Sequence, residues 1–196
     1  MEVFKDLNFV VEIEKMKNVF RMTKVIGTDR RENDAEHSYH IAIMSMILEK
    51  YSKNKIDVNR VIQMLLVHDL VEIYAGDTYA YDVKANQDKA LREQEAMKKI
   101  KTQLSLDTAD HIENLWLEFE ARESDEAKYA NAMDRLQPIF SNLYDGNGGT
   151  WLENKVTYSQ IIKRIEPIKD FNDDVYNFIH TEILRAVEKG YIIGNH

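Results

Sequence analysis

Cysteine is absent from all 196 residues. Disulfides and thiolate chemistry are therefore excluded, and any bound metal must be held by His, Asp and Glu. Punctuation is scarce as well, with 7 glycines and 2 prolines, which favours long helices over many short strands bounded by turns. No apolar run reaches the roughly 18 residues of a membrane-spanning helix. The opening stretch "MEVFKDLNFVVEIEKMK" breaks its apolar pattern with acids, which argues against a secretory signal. A cytoplasmic protein with no membrane association is expected. Basic residues are outnumbered, 26 Lys and Arg against 34 Asp and Glu, giving a formal net charge of -8. No block of lysine or arginine stands out. A nucleic-acid polymer needs a basic face to displace counterions, so DNA or RNA binding is not expected. A small anionic substrate stays compatible, because a metal and a few arginines can reverse the potential inside one pocket.

What is present suits one domain, residues 1–196, with a core of useful size. Hydrophobic residues make up 44% and charged residues 31%, an ordinary balance for a globular protein. Phe9, Val10, Ile13, Met16, Val19 and Phe20 recur at helical spacing and predict a first helix from Leu7 to about Ile26. After the polar "GTDRREND", Asn33 and Glu36 have capping-box spacing and open a second helix. A third, about Val58 to Tyr74, is apolar on nearly every side and reads as a buried central element. "DVKANQDKALREQEAMKKIKTQL" reads as a solvent-facing helix. "TADHIENLWLEFEARES" and "SDEAKYANAMDRLQPIFSNLYD" are two more, Pro138 kinking or ending the latter. "GNGG" is a break, followed by helices over about 153–165 and 172–188. Strands are barely indicated, and the expected fold is an all-α bundle of about seven helices. The helices after about residue 150 carry Val175, Phe178, Ile179, Ile183 and Leu184, which would pack on the core or on a second subunit.

"LLVHDLVEIYAGDT", residues 65–78, ends an apolar run in charge. On a helix, Glu72 lies four residues from His68 and three from Asp69, so all three share one side. Charges at the end of a buried segment are costly unless something pairs with them. An imidazole and a carboxylate are ligand types for a divalent ion, although a His-Asp dipeptide alone is better accounted for by a buried pair. Two further positions bear on the choice. His37 lies in the first turn of the second helix. Asp134 sits between Ala132, Met133 and Leu136, where a carboxylate without a cation would be expensive.

Taken in order, "RRENDAEHSYH", "LLVHDLVEIYAGDT" and "AMDRLQPIF" resemble the HD-domain metal-dependent phosphohydrolases. In particular they resemble the 5′-nucleotidase-like branch that includes 5′-deoxynucleotidases. The resemblance covers residues 5 to 165. It implies an HD-domain helical bundle in which His37, His68, Asp69 and Asp134 hold a divalent metal ion (Mn, Co, Fe, Mg or Zn). Glu72 and Asp77 would then be catalytic, handling the proton of the attacking water or holding a second ion. Arg21 matches the arginine that this branch uses near the substrate phosphate, and Arg30 and Arg31 are alternative or additional clamps. Where bacterial members follow that arginine with tryptophan, this chain has Met22, so a deoxyribose preference is not implied. His40 is expected beside the site, while His111, His180 and His196 are assigned no role. The implied substrate is a small phosphate ester, foremost a nucleoside 5′-monophosphate. The alternatives are another ester or anhydride, such as a nucleoside triphosphate or an alarmone, or a non-catalytic metal- or ligand-sensing module. A homodimer is expected, as is common among such proteins.

Overall fold

A computed structural model describes residues 2–194; His196 lies outside the described residues. Helix α1 (Glu2–Glu12) passes through a 3-10 segment (Ile13–Asn18) into β1 (Phe20–Lys24), which turns back as β2 (Arg31–Asn33). Then come α2 (Asp34–Leu48), α3 (Val58–Val67), α4 (Glu72–Ala75), α5 (Lys89–Gln103) and α6 (Leu106–Ala121). The chain closes with α7 (Asp125–Tyr144), α8 (Gly149–Glu153), α9 (Tyr158–Ile165), α10 (Ile168–Phe171) and α11 (Asp173–Glu188). Among the described residues no helix is long and apolar enough to cross a membrane.

Helix α7 is the axis of the bundle. Its Ala127, Ala130, Ala132, Met133, Leu136 and Ile139 are all buried, and α2, α3, α6, α9 and α10 pack around it. Opposite them stand Ile41 of α2 and Val61, Met64 and Leu65 of α3, all without solvent exposure. The expectation that α3 is buried all round does not hold: Asn59, Arg60, Gln63 and Leu66 form an exposed side, and Val61, Met64 and Leu65 make the face that is covered. The late helices join this core through Ile161, Ile165, Ile168, Phe171, Ile179 and Ile183, while Phe178 and Leu184 face outward.

The ends of the elements are set by specific side chains. Asn33 Oδ1 accepts from the Glu36 N–H at 3.0 Å and Glu36 Oε2 accepts from the Asn33 N–H at 3.2 Å, a complete capping box at the start of α2. Asp57 caps α3 in a similar way, accepting from the N–H groups of Asn59 and Arg60. Pro138 lies inside α7 without ending it. It leaves the Asp134 carbonyl without its usual intrahelical donor, and the helix resumes as Asn142 Nδ2 donates to the Pro138 carbonyl at 2.8 Å.

Three boundaries differ from expectation. The first helix does not run to Ile26, because "FRMTKV" forms one arm of a small antiparallel hairpin turned at Gly27, whose φ is +75°. The predicted helix from Val58 to Tyr74 is interrupted after Val67. Around His68–Val71 the backbone tightens to three-residue hydrogen bonds, Leu70 N–H to the Val67 carbonyl and Glu72 N–H to the Asp69 carbonyl. The helix expected over about 153–165 starts only at Tyr158, as α9, and a separate short helix, α8, ends at Glu153.

Candidate functional site

Four elements deliver charged side chains to one buried point. Strand β1 brings Arg21, the first turn of α2 brings Asp34 and His37, the α3–α4 junction brings His68, Asp69 and Glu72, and α7 brings Asp134. The capping box sets the entry of α2, so that His37 faces α7 with no solvent exposure. Its Nε2 lies 3.1 Å from Asp134 Oδ1, and its Nδ1 donates to Gln137 Oε1 at 3.0 Å. Gln137 is oriented in turn, because its Nε2 donates to Glu32 Oε1 at 2.9 Å. His68 Nδ1 donates to the Leu65 carbonyl at 2.9 Å. That bond leaves Nε2 as the ring atom facing the cluster, 3.1 Å from Asp69 Oδ2 yet without a hydrogen bond. Gly76, with φ +75° and ψ 151°, adopts a backbone conformation that side chains resist and turns the chain so that Asp77 joins the group.

The electrostatics show a demand for positive charge. Arg21 lies within 4 Å of five carboxylates: Nη1 is 2.7 Å from Asp69, 3.5 Å from Asp34 and 3.9 Å from Asp77, Nη2 is 3.9 Å from Asp134, and Nε is 3.9 Å from Glu32. Burial, reinforced by Asp69, pushes the Asp34 carboxyl up to about 7. Burial also raises Glu72 well above the usual range, with Asp69 and Asp34 adding to it. Asp77 is raised by burial, which outweighs the opposing pull of Arg21. Asp69 and Asp134 go the other way. Burial opposes their charge, but His68 and Arg21 hold Asp69 low, and the His37 and His68 rings hold Asp134 low. His68 is the counterpart: burial disfavours its proton, yet Asp69 and Asp134 raise it to about 10.

These donors fit a divalent ion. His37, His68 and Asp69 each offer one ligand atom within 4.8 Å of the others, and Asp34, Asp69 and Glu72 form a second such set. His68 Nε2, Asp34 Oδ2 and Glu72 Oε2 are buried without a hydrogen-bond partner. Orphaned buried polar atoms are costly in a purely structural cluster, and imidazole with carboxylate suits first-row divalent metals and Mg.

The cluster forms the floor of a cleft holding about 1020 Å³ of open space, its mouth included. Tyr79, Tyr81 and Trp151 contribute an aromatic wall. Arg21, Lys89, Arg122, Arg135 and Arg164 bring cations into a chain that is acidic as a whole. Lys89 is paired with Glu93 at 2.9 Å. Arg164 Nη2 donates to Asp134 Oδ2 at 3.3 Å. Arg135 is pushed down to about 10 by burial and then by Arg164.

Among the residues singled out from the sequence, Arg21, His68, Asp69, Glu72, Asp77 and Asp134 line this cleft, and His37 sits buried behind His68 and Asp134. Arg30 and Arg31 do not. Arg30 is exposed and forked onto Glu36 at 2.8 and 3.0 Å, and Arg31 is spent on the Met22 carbonyl and Glu153. His40 is not beside the site: it lies on the exposed side of α2. His111 is exposed, and His180 Nε2 shares a hydrogen bond with the Tyr158 hydroxyl at 2.8 Å. Sequence reasoning passed over Asp34, Glu32, Gln137, Arg135 and Arg164. Arg135 and Gln137 were within reach, since "DRLQP" brackets Asp134 with them. Arg164, on α9, carries no local signal.

The family model for the HD domain matches residues 13–173. This chain belongs to the HD domain family. Relatives of this HD-domain chain include the mouse 5′-deoxynucleotidase HDDC2, 31% identical over 186 residues, covering 93% of this chain and 85% of that protein. The human 5′-deoxynucleotidase HDDC2 is 29% identical over 185 residues, covering 93% and 83%. Among solved structures, a predicted metal-dependent phosphohydrolase from Magnetospirillum magnetotacticum MS-1 superposes with a TM-score of 0.91 at 38% identity, covering 98% of this chain and 96% of that one.

Proposed function

We propose that this HD-domain protein is a divalent-metal-dependent phosphomonoesterase that hydrolyses nucleoside 5′-monophosphates, deoxyribonucleotides among them, to nucleoside and inorganic phosphate. The observation that carries the reading is the orphaned His68 Nε2 beside Asp69, at the base of a cleft that gathers cations in an acidic chain. In this reading His37, His68, Asp69 and Asp134 hold the ion. Bound there, a divalent metal supplies positive charge against the phosphoryl oxygens and lowers the pKa of water.

The remaining work falls to this chain's own side chains. Glu72, buried and raised well above the usual range, is suited to take a proton from the attacking water and return it to the leaving alcohol. Asp77, across Arg21, assists or orients that water. Arg21 lines the cleft, and with a bound ion taking over part of the carboxylate charge its guanidinium would be free to turn to a phosphoryl oxygen. Arg30 and Arg31 have no place in this reading, because both are engaged outside the cleft. Met22 lines the cleft, so ribonucleotides and deoxyribonucleotides both belong among the substrates to be compared.

Relatives named 5′-deoxynucleotidase that match 93% of the chain support a monophosphate over an anhydride. The test is phosphate release from a panel of nucleotides crossed with Mn, Co, Fe, Mg and Zn. Release from monophosphates is expected. Release from nucleoside triphosphates alone, or from nothing with any metal, overturns the reading. Residues 1–196 are read as a single catalytic domain acting in the cytoplasm, which cell fractionation checks. A homodimer is proposed as well, supported by the stripe of exposed Tyr39, Ile43, Met46 and Ile47 on one face of α2. Light scattering should give twice the 23.0 kDa chain mass, and Ile47→Glu should return it to the monomer.

A further inference from the structure

The cations of the cleft are not equivalent. Arg21 is engaged by five carboxylates and Lys89 by Glu93. Arg135 is only 7% exposed and lines the same cleft, yet among the described residues no carboxylate lies within 4.0 Å of it. Its Nε is buried with no hydrogen-bond partner. Its bond from Nη1 to the Arg164 carbonyl, at 3.0 Å, ties it to the residue whose own guanidinium reaches Asp134. A neutral donor would serve to join α7 to α9. A buried guanidinium with an idle N–H and no carboxylate in contact is costly, and placing a second arginine beside it adds repulsion that the more distant Asp134 and Glu120 only partly offset. An anion in the cleft relieves both.

We propose that Arg135 and Arg164 form a two-arginine fork adjoining Asp134, a site for the dianionic phosphoryl group of the substrate. The fork deepens the phosphohydrolase reading and rests on it for the identity of the ligand. Guanidinium N–H groups match phosphate oxygens in pairs. Arg164, already hydrogen-bonded to Asp134 Oδ2, keeps the anion at the edge of the acid cluster. Arg21 and the fork then approach the phosphoryl group from different elements, β1 on one side and α7 with α9 on the other.

Inorganic phosphate, itself the reaction product, is the probe. Its dissociation constant is measured by calorimetry on the full chain, metal-loaded and again after chelation, for the parent protein and for Arg135→Gln, Arg164→Gln and Arg164→Lys. Each glutamine variant should weaken phosphate binding about tenfold or more and raise the KM for nucleotide more than it lowers kcat. Arg164→Lys should recover part of the loss, since it restores charge without the fork. The chelated samples separate loss of the anion site from any change in metal affinity through Asp134. Should Arg135→Gln not fold, Arg164→Gln decides, its side chain being 27% exposed with one carboxylate contact. Phosphate affinity within twofold of the parent in the folded glutamine variants overturns the fork and leaves the phosphohydrolase reading standing. Weakened phosphate binding in a protein that hydrolyses no nucleotide supports the fork while removing that reading.

Discussion

Replacing Arg21 by methionine should destabilise the metal-free protein far more than the metal-loaded one. Methionine keeps most of the stem's apolar volume but withdraws the cation that Asp34, Asp69, Asp77, Asp134 and Glu32 share within 4 Å, leaving Arg164 on Asp134 and His68 beside Asp69. Breaking a buried ion pair by deleting one partner costs about 3–5 kcal/mol. For a chain of this size each kcal/mol moves the melting temperature by about 2–4 °C, so a drop of about 6–20 °C is expected in chelator. With a divalent ion bound, the carboxylates regain a counter-charge and most of the drop should vanish. The pH sign follows from the raised groups. Asp34 sits at about 7 in the folded chain against an ordinary 3.8, so the fold binds more protons there than the unfolded chain does. Metal-free stability is therefore lost as pH rises from about 4 through 7. Without Arg21 the loss should be steeper, because the carboxylates lose the cation that favours their charged form. Calorimetric melts at pH 5 and pH 8, with and without metal, measure all four corners. An equal drop with and without metal would falsify the view that Arg21 and the ion meet the same electrostatic need.

Other outcomes follow from the same geometry. Asp69→Ala should abolish phosphate release and lower the bound metal measured by mass spectrometry, whereas full activity would remove Asp69 from the proposed ligand set. Glu72→Gln should keep its metal but lose about 10²–10⁴ in kcat; a rate within threefold of the parent would leave Glu72 a structural residue. Metal affinity should strengthen with pH. His68 carries its proton up to about 10 in the metal-free chain, so binding displaces it. About a tenfold tighter dissociation constant per pH unit is expected from pH 6 to 8, and a flat profile would show that His68 stays out of coordination.

Much of the architecture was legible because its signals were local. Asn33 and Glu36 announced the start of α2, and the scarcity of glycine and proline announced a helical bundle. His68, Asp69 and Asp134 stood out as polar groups in apolar stretches, and His37 through its place at the start of the second helix and the order of the three motifs; the structure does bring the four together. The misread boundaries have physical causes. Apolar residues at Val19 and Phe20 continue the helical period of the preceding segment, so β1 looked like more helix; the turn at Gly27 was the contrary signal. Past His68 and Asp69 the apolar pattern resumes at Leu70 and Val71, and nothing in residue type marks the tightening of the backbone. Arg30 and Arg31 precede α2 in sequence, but Glu36 and the Met22 carbonyl take them elsewhere. Arg164 could be found only in three dimensions, since α9 meets α7 through tertiary packing alone.

The placement of Arg21 also bears on how the protein acquires its ion. A cluster of acids that relied on metal alone for neutrality would bind folding to metal supply, as in small domains that collapse only around zinc. Here β1 carries a resident countercharge, so the chain can reach its native shape first and load afterwards. Loading then becomes an exchange at a finished site. At such a site the ions a cell keeps available, under the ordinary affinity order of nitrogen and oxygen ligands, would decide which metal is carried, and the same polypeptide would change metals without being made anew.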